Sequence, residues 1–130
     1  MKEFGELEAA IMDALWDADR ALAVREIRAT MDYGRDVAYT TVMTVTNILF
    51  HKGLLGREKS GRAWHYRPVR TRAEHAARRM GEVFSGCGDP GATMRRFVEE
   101  ISDEDRARLL DALTELTGLR PADRAAAVGD

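Results

Sequence analysis

The sequence predicts a mainly α-helical fold that carries one small β hairpin, and three observations point to it. Apolar residues recur with helical spacing over most of the 130-residue chain. Between Gly53 and Pro68 the period changes to alternation, and a turn at Gly61 separates two short runs. After Pro68 the helical spacing resumes and continues to Gly118. We therefore expect helices in both halves of the chain and a hairpin between them.

The elements of the first half follow from their apolar positions. Leu7, Ile11 and Leu15 share one face of a first helix, and Glu6 and Glu8 favour its N-terminal end because the helix dipole attracts acids there. The same reasoning predicts a helix, a brief strand or extended link, two helices and two strands: Gly5–Asp17, Ala21–Ala23, Val24–Met31, Ala38–Lys52, Leu54–Lys59 and Ala63–Arg67. Three helices followed by a hairpin form a winged helix-turn-helix, so residues 1–70 are predicted to be a winged-helix DNA-binding domain.

The second half is predicted to be helical but too small in its interior to fold alone. Thr71 and Glu74 fit a capping box, Ser102 and Asp105 fit another, and Ser85–Gly91 breaks the helices between them. One-sided apolar stripes need a partner, and the same segment of a second chain is the simplest; folding back onto the first half is the alternative. Residues 71–118 are thus predicted to be a helical dimerisation domain, followed by a flexible tail, 119–130. The expected interface residues are Met80, Phe84, Phe97, Val98, Ile101, Leu109, Leu110, Leu113 and Leu116.

The net charge of −2 hides an uneven distribution of charge along the chain. Residues 37–70 carry six basic residues and one acidic residue, a net charge of +5, whereas residues 1–36 carry −4 and residues 71–130 carry −3. One basic segment between two acidic ones is typical of a protein that presents one face to a polyanion. A solvated basic face without a partner is the alternative, and charge alone does not separate the two.

The third helix and the hairpin carry the residues expected to contact double-stranded DNA. The second helix of a helix-turn-helix enters the major groove with its N-terminal residues against base edges, and here that helix is Ala38–Lys52. Threonine hydroxyls can bond phosphates or bases, and basic side chains at a hairpin tip can follow a phosphate strand or enter the minor groove. Capping and a solvated helix face are the alternative for each threonine by itself. Trp64 and Tyr66 are predicted to pack the hairpin onto the helices. The expected contacts are Tyr39, Thr40, Thr41, Thr44, Asn47, Lys59 and Arg62.

The sequence lacks the patterns of several other classes of protein. No apolar run is long enough to span a bilayer, and the first residues lack the apolar run of a secretory signal, so we expect a cytoplasmic protein without membrane insertion. A single cysteine, Cys87, supplies neither an internal disulfide nor a cysteine metal cluster. The three histidines are scattered, and no phosphate-cradling loop or metal-ligand spacing occurs. We therefore expect no enzyme activity, no catalytic residue, no cofactor and no bound metal.

Several stretches of the chain together match one known pattern. They are Leu15-Trp16, Val24-x-x-Ile27, Ala38–Val45, Lys52-Gly53-Leu54, Lys59–Pro68 and Arg96–Ser102. In combination they resemble the penicillinase repressor family, of the BlaI/MecI type, from about Gly5 to Leu116. The resemblance implies a homodimeric winged-helix repressor that binds palindromic operators of β-lactamase or related resistance genes. It also implies that Thr40, Thr41, Met43 and Thr44 occupy the positions that contact bases.

The resemblance further implies a route of release. In well-known members a membrane-bound sensor protease triggers cleavage of the repressor in its C-terminal half. The corresponding bond here is Arg96–Phe97, where family members often have Asn-Phe. Two further departures affect the DNA contacts, since Met43 stands where some relatives carry an arginine and Ile48 where an arginine is usual. A guanine contact and a phosphate contact are thus expected to be absent.

Two alternatives to this function remain at the level of sequence. One is a regulator of the same fold that controls a different stress or metabolic operon through a ligand or another protein partner. The other is a winged-helix module that docks proteins and never touches DNA. On the third helix, Thr40, Thr44 and Asn47 form a polar stripe. A hydrophobic patch in its place would favour the docking module, so the polar stripe argues against that module.

Overall fold

The computed structural model describes residues 4–118. These residues form six helices and three strands, and the prediction of a mainly helical fold with a small β wing is confirmed. The elements are α1 Glu6–Ala18, β1 Leu22–Ala23, α2 Val24–Thr30, α3 Tyr39–His51, β2 Leu55–Ser60, β3 Ala63–Pro68, α4 Arg72–Ser85, α5 Pro90–Glu100 and α6 Asp103–Thr117. The predicted tail, 119–130, lies outside the described residues.

The wing is part of a three-stranded antiparallel sheet in the order β1-β3-β2. β2 and β3 form the predicted hairpin, and Gly61 allows its tight turn because it adopts a φ of +65°. The segment predicted as a brief strand or extended link forms a strand, β1. It pairs with β3 through Leu22 opposite Tyr66 and Ala23 opposite His65. Since β1 leads directly into α2, this pairing fixes the base of the wing against the helices.

One apolar core joins α1, α2, α3 and the sheet. Its largest fully buried side chains are Ile11, Met12, Leu15, Leu22, Ile27, Val42, Thr46 and Leu49. On α3 the buried side chains are Val42, Thr46 and Leu49, and Val45 is half-buried. A threonine is tolerated there because its hydroxyl donates to the carbonyl oxygen of Val42, at 2.7 Å, and is therefore satisfied within the helix.

The first turns of α4 are tied to α1. The indole Nε1 of Trp16 donates to the carbonyl oxygen of Arg70 at 2.9 Å, just before α4 begins. The Arg72 guanidinium then pairs with Asp13 and Asp17 of α1, each at 3.2 Å, and these carboxylates raise the pKa of Arg72. The start of α4 therefore belongs physically to the winged-helix body.

The chain divides into two compact units, and the division lies near the C-terminal end of α4. The first unit ends at Val83 and the second begins at Phe84. The sequence places the boundary at residue 70, where the wing ends. The two differ because the contacts of Arg70 and Arg72 with α1 keep most of α4 with the first unit.

The second unit contains α5 and α6, which one arginine joins. The Arg106 guanidinium of α6 donates to the carbonyl oxygens of Val98, Ile101 and Glu99, at 2.7, 3.1 and 3.3 Å. These are carbonyls at the C-terminal end of α5, which have no partner within their own helix. A cation at that position also complements the helix dipole, so Arg106 fixes where α5 ends.

The two predicted capping boxes differ in the structure. At the start of α4, the Thr71 hydroxyl accepts from the amide of Glu74 at 3.0 Å, and the Glu74 carboxylate accepts from the amide of Thr71 at 2.9 Å. At α6, the Ser102 hydroxyl accepts from the amide of Asp105 at 3.1 Å, but the Asp105 carboxylate binds Arg108 at 2.8 Å. The first box is confirmed, and the second is a simple N-cap.

Leu49→Ala is expected to lower the free energy of unfolding by about 2–5 kcal/mol, because it leaves a cavity in a close-packed core. Ile48→Ala is the matched control, since Ile48 lies on the exposed side of the same helix, and its effect is expected to stay below about 0.5 kcal/mol. Urea denaturation followed by far-UV circular dichroism, at one protein concentration, measures both. Equal losses would contradict the placement of α3.

Candidate nucleic-acid interface

α3 turns one side into the core and leaves the N-terminal part of its other side exposed. The predicted contact residues Tyr39, Thr40, Thr41, Met43 and Thr44 are all exposed. The Thr44 hydroxyl donates to the carbonyl oxygen of Thr40 at 2.9 Å. Its donor is thereby used within the helix, while its acceptor lone pairs and its methyl group remain for a ligand. The structure thus brings these five residues together on one surface.

Asn47 has a second role that the sequence did not indicate. It is half-buried, and its Oδ1 accepts a hydrogen bond from the Tyr66 hydroxyl at 2.9 Å and from Arg57 Nη1 at 3.5 Å. Both donors belong to the wing. Asn47 therefore joins α3 to β2 and β3, and its amide NH2 group takes part in neither of these bonds.

Arg57 lies between two aromatic rings. Its guanidinium carbon is 4.0 Å from the ring centroid of Phe50 on α3 and 4.3 Å from that of Trp64 on β3. The Lys59 ammonium lies 5.6 Å from the same Trp64 centroid. Such cation–π contacts orient the cations without neutralising them, so the wing keeps its positive charge.

The prediction that the two hairpin aromatics pack onto the helices is confirmed for Tyr66 and wrong for Trp64. Tyr66 is 2% exposed, whereas Trp64 is 40% exposed. The two residues lie on the same face of β3, but Trp64 is two residues nearer the hairpin turn and pairs with Lys59 of β2. The buried core reaches Tyr66 and not Trp64.

A groove of about 390 Å³ separates α3 from the wing. The residues that line it include Arg25, Tyr39, Met43, Arg57, Arg62 and Trp64. Arg62, at the exposed hairpin turn, was predicted as a DNA contact; Lys59 is exposed on β2, near the same turn. Arg25 and Arg57 were missed. Arg57 belongs to the basic segment of the sequence, but Arg25 belongs to the net acidic residues 1–36, so a count of charge by segment concealed it.

The acid next to Arg25 in sequence is engaged outside this groove. The Glu26 carboxylate accepts from the backbone amide of Ala23 at 2.9 Å and from Arg20 at 3.0 Å. These bonds lower the pKa of Glu26, the amide bond most of all, and so keep it ionised. Glu26 is therefore held at the start of α2 and does not line the groove.

Residues 4–118 lack the features of two other kinds of site. No helix of this part is long and apolar enough to cross a bilayer. Nor does it bring three His, Cys, Asp or Glu side chains into a group that can hold a metal ion.

Comparison with known proteins identifies the family. A family model described as penicillinase repressor matches residues 4–115. The chain belongs to the penicillinase repressor family. The protein named Transcriptional regulator BlaI, from Mycobacterium tuberculosis strains CDC 1551 and H37Rv, is 36% identical to it over 119 residues, which cover 89% of this chain and 86% of the relative. The family consists of DNA-binding transcriptional repressors and not of enzymes, so both the resemblance and the predicted lack of enzyme activity are confirmed.

Two apolar side chains are exposed on α3. Met43 is 36% exposed and lines the groove beside the wing, and Ile48 is 44% exposed further along the helix. The positive charge beside α3 comes instead from Arg57 and Arg62 of the wing and from Arg25 of α2.

Tyr66→Phe is expected to lower the free energy of unfolding by about 1 kcal/mol, since it removes the hydroxyl that binds Asn47 in a part-buried setting. Tyr39→Phe is the control because Tyr39 is exposed, and its effect is expected to be within about 0.5 kcal/mol. Thermal and urea unfolding measure both. A Tyr66→Phe protein as stable as the parent would contradict the structural role of this bond.

Proposed function

We propose that this chain is a homodimeric repressor that binds a palindromic operator in double-stranded DNA through α3 and the wing. One observation carries the proposal: the exposed N-terminal half of α3 lies beside a groove lined by three arginines. A helix fits the major groove of B-DNA, and arginines next to it can bind the flanking phosphates. Family membership makes DNA the expected ligand.

The α3 residues and the wing residues have different parts in this binding. Thr40, Thr41, Met43 and Thr44 are the proposed contacts to base edges, where threonine can bond bases and the apolar groups can meet a thymine methyl. The proposed contacts to the phosphate backbone are Tyr39, Lys59 and Arg62, and Asn47 contributes its amide NH2 group at the end of the same face. Docking to a protein instead is not favoured, because threonines dominate the exposed start of α3.

The apolar residues of α4, α5 and α6 support dimerisation. None of these helices has a buried residue. Among the nine predicted interface residues, Met80, Phe97, Leu110 and Leu116 are exposed, and the others are half-buried: Phe84, Val98, Ile101, Leu109 and Leu113. Exposed apolar surface of this extent indicates a protein interface, and a twofold homodimer is the commonest arrangement that buries it. Such a dimer matches the symmetry of a palindromic operator.

Release by proteolysis at Arg96–Phe97 is part of the proposal, with a membrane-bound sensor protease as partner and the cytoplasm as location. Both residues are exposed, which supports access. The bond lies inside α5, however, and the carbonyl oxygen of Phe97 accepts from the amide of Ile101 at 3.1 Å. Since a protease must reach the backbone itself, cleavage requires α5 to open locally.

Arg62→Ala and Thr44→Ala separate the two kinds of DNA contact. Arg62→Ala is expected to weaken binding to every duplex, whereas Thr44→Ala is expected to lose affinity mainly on the cognate operator. Fragments selected from the source genome by the purified protein supply that operator, and fluorescence anisotropy over a range of salt gives the affinities. The parent affinity is expected to fall steeply with salt because phosphate binding releases counterions.

Two results would contradict the assignment of these contacts. One is an affinity of the parent protein that stays flat between low and physiological salt. The other is the same loss for Arg62→Ala and Thr44→Ala on both operator and random duplex. The genes beside the selected fragments also decide between resistance genes and a different stress or metabolic operon.

Phe97→Glu is expected to shift the protein from dimer to monomer, because a charge at the centre of an apolar interface lacks a partner. Arg95→Glu is the control, since Arg95 is an exposed polar residue of the same helix. Sedimentation equilibrium at micromolar concentration gives the mass of each. A parent protein that is monomeric under these conditions would rule out the proposed dimer.

A further inference from the structure

The α2–α3 loop encloses a second cationic hollow that the proposed function does not use. Its volume is about 310 Å³, and we call it the loop hollow. The residues that carry its chemistry are Arg25, Arg28, Tyr33, Arg35, Asp36 and Val37. Three arginines and one aspartate therefore line the same small space. An excess of guanidinium over carboxylate around a concave surface favours an anion, and phosphate fits the forked geometry of arginine.

Arg28 holds the wall of the loop hollow in place. Its Nε donates to the carbonyl oxygen of Val37 at 2.7 Å. Val37 directly precedes Ala38, the N-cap residue of α3. The bond therefore fixes the loop at the point where it enters α3. Arg28 is thus a positioning residue, since its Nε is used to hold the loop.

Arg35 is oriented by the neighbouring tyrosine. Its guanidinium carbon lies 5.6 Å from the centroid of the Tyr33 ring, and its Nη2 donates to the Tyr33 hydroxyl at 3.3 Å. A side chain that is already held loses less conformational freedom when it binds a ligand. Arg35 is also exposed, so the guanidinium is accessible as well as oriented.

Arg25 connects the loop hollow to the groove beside α3, because it lines both. It is the second residue of α2 and is exposed. Within residues 4–118, the ion pair of this first turn is made by Glu26 with Arg20 and not by Arg25. The two cavities therefore share one exposed arginine as a lining residue.

We propose that the loop hollow binds a phosphate of the DNA backbone. Arg25 and Arg35 supply the charge, and Arg28 positions the loop. The inference rests on the proposed function and extends it, since it carries the interface from α3 and the wing onto the α2–α3 loop. A phosphate of a duplex is the occupant because Arg25 lines both the loop hollow and the groove beside α3. A DNA strand that borders α3 would therefore pass Arg25. The contact is independent of base sequence, as backbone contacts are.

The test measures the salt dependence of DNA binding for Arg25→Ala and Arg35→Ala. Each phosphate neutralised by a protein adds about 0.9 to the slope of log K against log salt. Because the proposed homodimer carries two loop hollows, each with one phosphate, we expect each variant to reduce the steepness of this slope, by up to about 1.8, on both the operator and a random duplex. Fluorescence anisotropy over a series of salt concentrations gives the slopes.

The control variants isolate position from charge. Arg108→Ala removes the same charge from α6 in the second unit, where Arg108 is exposed, and is expected to keep the parent slope. Arg25→Lys and Arg35→Lys retain the charge and are expected to keep most of the slope. Thermal melts of all five variants, compared with the parent, identify any effect that comes from folding.

The outcomes separate this inference from the function on which it rests. If the parent binds DNA with a steep slope, and Arg25→Ala and Arg35→Ala behave like Arg108→Ala, the phosphate contact is overturned and the repressor function stands. A loss confined to the operator also overturns it, because that result assigns the arginines to base reading. If the parent binds no duplex at all, the proposed function falls and this inference falls with it.

Discussion

The orientation of α3 about its own axis is the constraint on which the rest of the structure depends. Val42, Thr46 and Leu49 are fully buried, and their spacing leaves the helix only one rotation in which all three reach the core. That rotation places Thr40 and Thr44 on the opposite, exposed side. The stability of the fold and the surface offered to DNA are therefore set by the same packing, and neither can change without the other.

Much of the architecture could be predicted because it is encoded locally. Helical spacing locates the helices, alternation around Gly61 locates the wing, and the exposed threonines of α3 follow from the helix period. Trp64 was misplaced because its burial depends on how far along the hairpin the core reaches, whereas alternation in a strand gives only the face of a side chain. Arg25 was missed because it lines the groove only through the packing of α2 against α3. A count of charges along the chain gives no information about that packing.

The cations of the wing are oriented mainly by aromatic rings. Arg57 stacks between Phe50 and Trp64, and the Lys59 ammonium lies 5.6 Å from the centroid of the same indole. An acid in place of these rings would also hold the cations but would cancel the charge that a phosphate needs. The hydrogen bond from Tyr66 to Asn47 joins the wing to α3. The groove is thus lined by arginines that keep their charge.

The bonds that Trp16 and Arg72 make hold the N-terminal end of α4 against α1. A helix of 14 residues extends about 20 Å at a rise of 1.5 Å per residue. Since these contacts hold its first turn, α4 cannot swing at this end without breaking them. In the proposed dimer, the base of α4 would therefore move with the winged-helix domain when that domain docks on its half-site of the operator.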